Sequence, residues 1–158
     1  MSQTSYSQTG AIGFHGQIAD TMEASDIVSY SAEAAIPFGS FVTLGTNKER
    51  QVLAVSTSVG QGALAIGVAT ASHTVEQTSA GVAQYAATQT VSTMKRGRVY
   101  LTTDDAVVAG AVANLKLSSG KVTDEAVAAG IEAFTQFKAR FITGTTAAGL
   151  AIVEINPV

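Results

Sequence analysis

Residues 137–155 read FKARFITGTTAAGLAIVEI, two runs with β-branched or aromatic residues on either side of a Gly144–Gly149 loop. Such runs broken by glycine and small polar residues predict a β-hairpin in which Phe137–Thr143 pairs with Leu150–Ile155. Just upstream, Leu115–Leu117 and Lys121–Thr123 flank Ser118, Ser119 and Gly120 and predict a second hairpin. A third is expected where Thr88–Met94 runs through Lys95, Arg96 and Gly97 into Arg98–Thr102, with Gly97 supplying the positive φ of a three-residue turn. Earlier strands are expected at Ile27–Tyr30, Phe41–Leu44, Val52–Ser56 and Leu64–Ala69, each a short run bounded by Gly, Pro, Asn or Ser. Hairpins in this succession predict an all-β, β-dominated fold: a compact barrel or sandwich of short antiparallel strands. Asp124–Ala133, DEAVAAGIEA, reads equally as a short helix capped by Thr123 or Asp124 or as a loop, because Gly130 weakens the helix.

The composition supports the same class. The chain has 158 residues, 46% hydrophobic and only 13% charged, but the apolar material is 27 Ala and 17 Val against seven Leu, with 19 Thr and 15 Gly. Small and β-branched residues suit pleated sheets and tight turns better than helical bundles. Absence of Cys excludes disulfides, thiol nucleophiles and thiolate metal sites. A net charge of −3 argues against a dedicated nucleic-acid binder, which would show a basic excess. Residues 51–75 carry no charge, but Gly60, Gly62, Gly67 and many Ser, Thr and Gln make a membrane span a poor reading. The first 19 residues have neither Lys nor Arg and no continuous apolar run, so no secretory signal is expected. The opening MSQTSYSQTG is too polar to bury much area, so residues 1–18 are expected to form an extended, flexible arm on a single domain at 19–158. So few charges also predict either an exterior completed by Ser, Thr, Gln, Gly and Ala or one partly covered by partner subunits.

Motifs for site chemistry are weak. Gly60-Gln61-Gly62-Ala63-Leu64-Ala65 fits the G-x-G-x-x-A dinucleotide fingerprint, which works only if a helix starting at the glycines presents its amides to a pyrophosphate. The continuation Ile66–Thr70 reads as a strand, which favours a turn. His15 and His73 lie among Gly, Ser and Thr with no G-x-S-x-G elbow, and they read as surface or interface histidines; a small hydrolase using either is the remote reading. Scattered carboxylates give no metal signature, and Asp104-Asp105 reads as a loop pair beside a strand. Lys95, Arg96 and Arg98 concentrate three cations in four positions, suited either to an acidic surface or to a solvated turn.

Several segments taken in order resemble the structural cement, or capsid decoration, proteins of tailed bacteriophages. They are IGFHGQIAD at 12–20, IPFGSFVTLGT at 36–46, AIGVATASHT at 65–74, MKRGRVYL at 94–101, DAVVAGAVA at 105–113 and ARFITGTTAAGLAIVEIN at 139–156. At Asp105–Gly110 the chain departs from the family's more usual Gly-Asp before valine. The resemblance implies a virion structural protein, made in the host bacterial cytoplasm and bound to the outer capsid surface. There it would bridge neighbouring major capsid proteins as a homo-oligomer, dimer or trimer, and stabilise the DNA-filled shell. It implies no catalysis, cofactor, metal, nucleic acid, membrane or small-molecule substrate. With it, the expected capsid or subunit contacts are Tyr6, Phe14, His15, Ile18, Lys95, Arg96 and Arg98, with Phe14 and Ile18 as the apolar anchors of the arm. The competing reading is a receptor- or glycan-binding β-module on the virion surface, disfavoured by the lack of Trp and the scatter of four Tyr and six Phe.

Overall fold

A computed structural model of the chain describes residues 13–20, 25–72, 76–77 and 81–158. The strands are β1 (Ile18–Asp20), β2 (Asp26–Ala32), β3 (Ile36–Pro37), β4 (Phe41–Leu44), β5 (Gln51–Ala54), β6 (Ala65–Ala69), β7 (Glu76–Gln77) and β8 (Ala83–Tyr85). They continue as β9 (Thr90–Thr103), β10 (Asn114–Lys116), β11 (Lys121–Thr123), β12 (Ile131–Glu132), β13 (Phe137–Phe141) and β14 (Gly149–Pro157). One four-residue helix, α1 (Gln61–Leu64), interrupts them. The fold is β-dominated as expected: a large mixed sheet with a small β3-β8-β7 sheet beside it.

The organising element is β9, a continuous strand of 14 residues. The hairpin expected at Lys95–Gly97 is absent, because the chain runs straight through those residues. The polar run instead marks a bulge: Asp26 pairs with Arg96 while Ile27 pairs with Met94, which leaves Lys95 as the extra residue on β9. Gly97 does adopt a positive φ, +141°, which L side chains rarely take, but within a strand and not a turn, and a Cβ there would also lie 3.0 Å from Met94 Sδ. A turn and a bulge draw on the same residues, and long-range pairing decides between them. Before the bulge β9 pairs with β2 and β6; beyond it, β14 and β1 take over.

The strand serves two cores, with Val91 in one and Met94 and the residues beyond the bulge in the other. Through β9-β2-β5-β4-β6 and back to β9, the pairings close into a ring. Val91, Ala32, Val52, Val42 and Ala69, one from each of these strands, form a core that Ile36, Phe38 and Tyr85 complete at the small sheet. Tyr85 is buried, and its hydroxyl is satisfied by donating to the Thr70 carbonyl at 2.6 Å. Phe41, Ala65, Val68 and Met94 belong to the second core, with Val99, Leu101, Leu115, Phe137, Phe141, Val153 and Ile155. Each fully buried Leu, Ile or Phe there contributes roughly 1.5–3 kcal/mol of transfer free energy. Phe134 ties the ring to β13, its centroid 4.5 Å from that of Phe41 and 4.6 Å from that of Phe137.

The remaining expectations divide. β13 and β14 form the expected last hairpin, in register from Phe137↔Pro157 to Phe141↔Val153, and β10 and β11 form the second. The strands are not all antiparallel, since β2 pairs with β5 and β9 with β11 in parallel. Asp124–Ala133 takes the loop alternative. Thr123 Oγ1 does accept the Glu125 N–H at 3.2 Å, as a cap would, but Ala128 and Ile131 exchange backbone bonds across a turn in which Gly130 has φ +85°. Ile131 is thereby delivered into β12 and buried, a result that a helix could not give.

Candidate interaction surface

The segment 13–18 lies against β9. The Gly16 N–H donates to the Tyr100 carbonyl at 2.8 Å, Tyr100 N–H to the Gln17 carbonyl at 2.9 Å, and Ala71 N–H to the Gly16 carbonyl at 2.7 Å. His15 is half-buried, and its Nδ1 accepts the Thr102 N–H at 3.0 Å, which assigns the ring proton to Nε2. Its ring packs on Gly39, where φ is +71° and a Cβ would collide with the imidazole. Burial, and then the charge of Lys121, hold the His15 pKa below its ordinary value. Ile18 packs against the second core. Two of the expected contact residues, His15 and Ile18, are therefore engaged by the chain itself.

Phe14 is not so engaged. It is 57% exposed and borders an open groove of about 550 Å³ lined by Pro37, Phe38, Val55, Val82 and Ala83, with Lys121 at its rim. Tyr6 lies outside the described residues.

Lys95, Arg96 and Arg98 stand on a strand instead of a turn tip, so they are not presented together. The Lys95 ammonium sits 5.4 Å from the centre of the Tyr30 ring. Arg98 Nε donates to Glu154 Oε2 at 2.9 Å, while Arg140 Nη2 and Asn156 Nδ2 donate to Glu154 Oε1 at 3.2 and 2.9 Å. The hydrogen bond from Arg98, then Asn156 and the charge of Arg140, lower the Glu154 pKa against the opposing effect of burial. The Arg96 Nε is buried without a hydrogen-bond partner among the described residues.

The other motifs serve the fold. A helix does begin at the Gly60–Gly62 fingerprint, but it makes a single turn, and its amides are taken by the chain's own carboxylate. Gly60 and Gly62 N–H donate to Glu132 Oε1 and Oε2 at 2.6 and 2.7 Å. Gly62 is required by close approach, since a Cβ would stand 2.7 Å from the Ala133 carbonyl. Asp104 pairs with Lys121 and Asp105 with Lys116, each at 2.7 Å, which fastens β10 and β11 to the end of β9. His73 lies outside the described residues, among which no cluster of His, Cys, Asp and Glu could hold a metal ion. No helix there is long and apolar enough to cross a membrane.

Sequence reasoning passed over Lys138 and Arg140, which project from β13 on one face, and the exposed Val108, Val112 and Val127. Alternation of FKARF around Phe137, Ala139 and Phe141 was the available signal for the first pair. For the valines it was the DAVVAGAVA and DEAVAAG runs, apolar but unlike strands. Both runs form loops joined by Val108 N–H to Asp124 Oδ2 at 2.9 Å and by Asn114 Nδ2 to the Glu125 carbonyl at 2.8 Å. The result is an exposed surface rich in Ala and Val.

The profile of the structural cement protein family (E217 gp24/Pam3 gp6) matches residues 2–156. The chain belongs to the structural cement protein family. Its role is therefore that of a phage virion structural protein, as the ordered resemblance implied. A chain in the solved capsid of Myoviridae phage XM1 shares the fold with a TM-score of 0.68 and 19% identity, over 98% of this chain and 96% of that one. Comparison with curated protein sequences finds no match.

Proposed function

We propose that this cement protein binds the outer surface of its phage's capsid, bridges neighbouring major capsid proteins as a homo-oligomer and performs no catalysis. The observation that carries this reading is the family match across residues 2–156. It is supported by Phe14 beside an open groove and by the exposed Ala- and Val-rich loops, which resemble surfaces covered in an assembly more than those of a solitary domain.

The physical role follows from linkage. A shell packed with DNA is loaded outward and yields first at contacts between capsomers. A protein that binds across those contacts in the expanded shell, and not to free subunits, stabilises the shell by RT ln(1 + [L]/Kd) per site. Many symmetric copies multiply a modest term, and multivalency within an oligomer slows release. Residues 2–18, with Tyr6 and Phe14 making contact and His15 and Ile18 fixing the root of the segment, are assigned to capsid binding. A chain starting at Gln17 should lose most of its affinity for expanded, decoration-free shells in co-sedimentation; binding equal to that of the full chain would remove this segment from the interface. Light scattering on the isolated protein reads the oligomeric state.

A further inference from the structure

The outer face of the β9-β14-β13 sheet carries more cations than its own carboxylates employ. Lys138 and Arg140 are exposed, two residues apart on β13 and so on one face. They stand opposite Asn156 and Glu154, and Glu154 stands in turn opposite Arg98. Glu154, only 6% exposed, already accepts from Arg98, Arg140 and Asn156. Arg140 nevertheless keeps 59% of its side chain exposed. Among the described residues, the Lys138 side chain makes no ion pair or hydrogen bond, and Arg96, on the same side of β9 as Arg98, has its buried Nε without a partner. A depression of about 260 Å³ lies among Lys138, Ala139, Arg140, Glu154 and Asn156. On the far side of β9, Asp26 stands opposite Arg96, so the sheet is graded from cationic at β13 to mixed at β2.

We infer that the β13 edge is a docking surface for an acidic segment of the major capsid protein, whose carboxylates pair with Lys138 and Arg140. The inference rests on the capsid-binding reading above and specifies the chemistry of the partner. Discrete carboxylates fit better than a polyanion. Glu154 sits amid the cations, Asp26 lies beyond them, and the chain carries a net charge of −3, all of which oppose a continuous phosphate backbone. Two exposed cations in fixed register on a rigid strand can form charge-assisted hydrogen bonds without prior rearrangement. The charge gradient across the sheet would orient the encounter.

The test uses the full chain and expanded, decoration-free shells of the cognate phage at low salt, with Lys138→Glu/Arg140→Glu set against Lys48→Glu/Arg50→Glu. The second pair makes the same charge change on exposed residues of the turn between β4 and β5. The β13 variant should lose about tenfold or more in affinity and flatten the salt dependence, while the control stays within about twofold. Should the reversed pair fail to fold, Lys138→Gln/Arg140→Gln should show a loss of about threefold. Shell binding by the β13 variants equal to that of the parent overturns this surface and leaves capsid binding standing. Failure of the parent to bind shells overturns both. Duplex DNA binding by the parent that the β13 variants lose, with their shell binding intact, would assign the edge to nucleic acid and overturn the inference.

Discussion

Residues 13–18 and the β13 edge both flank the central sheet, but they use their polar groups in opposite ways. In the first, Gly16, Gln17 and His15 all bond to β9 or to the segment after β6, and the His15 ring is seated on a glycine. In the second, Lys138 has no side-chain partner among the described residues and Arg140 shares an acceptor already bonded to Arg98. The contrast separates residues that hold the molecule together from residues left for something else. Substitutions at His15, Gly16 and Gln17 should therefore register first in stability, and those at Lys138 and Arg140 first in binding.

The sharpest way to break this contrast is Gly39→Ala. The new Cβ would overlap the His15 ring, and φ of +71° is unfavourable for alanine. Strain and overpacking together should cost about 2–4 kcal/mol, read as a lower urea midpoint with an unchanged slope. A loss under about 0.5 kcal/mol, the ordinary range of surface substitutions, would mean that His15 is not fixed there.

Next in size is Glu154→Gln, placed where the two regions come closest in character. The substitution keeps the shape but replaces a charge that serves Arg98 and Arg140. With both arginines partly exposed, the expected loss is about 1 kcal/mol. The pH dependence has a definite sign. Because the folded state lowers the Glu154 pKa below 4.5, its contribution is complete above that value and is lost as the pH falls through the folded pKa. Glu154→Gln should remove that part of the acid sensitivity. An unchanged acid profile would show that other carboxylates dominate.

How far the sequence could be read follows from the range of the interactions concerned. The β13–β14 hairpin was legible because its two runs and their loop are contiguous. Lys95-Arg96-Gly97 reads as a turn because a turn and a bulge use the same residues, and the choice is made by β2 and β14, distant in sequence. The ring of five strands left no local mark, since its closure depends on β6 reaching β9. In the expected contact set, Phe14 is exposed, whereas His15 and Ile18 turn inward through pairings that a lone polar arm does not announce. Lys138 and Arg140 stood within a correctly read strand, but their common face became visible only once Glu154 and Arg98 were in register beside them.

The smallest expected effect is the most selective for the 13–18 segment. His15 accepts a hydrogen bond from the Thr102 amide at Nδ1, so protonation there puts two N–H groups face to face. The titratable groups around it reinforce the penalty, since Lys121 lines the same groove and its charge opposes a second one. A His pKa lowered in the folded state means that the unfolded chain takes up the proton first. The associated stability is therefore full above the unfolded pKa of 6.5 and declines as the pH falls from there through the folded value. Between about pH 7.5 and about pH 5.5, where an unperturbed histidine titrates and ordinary carboxylates do not, the parent should lose more stability than His15→Gln. His73 and the carboxylates common to both proteins cancel in that difference. Equal losses in the two proteins would mean that the ring is already free to protonate in the folded state, and that the first segment is held less firmly than its hydrogen bonds indicate.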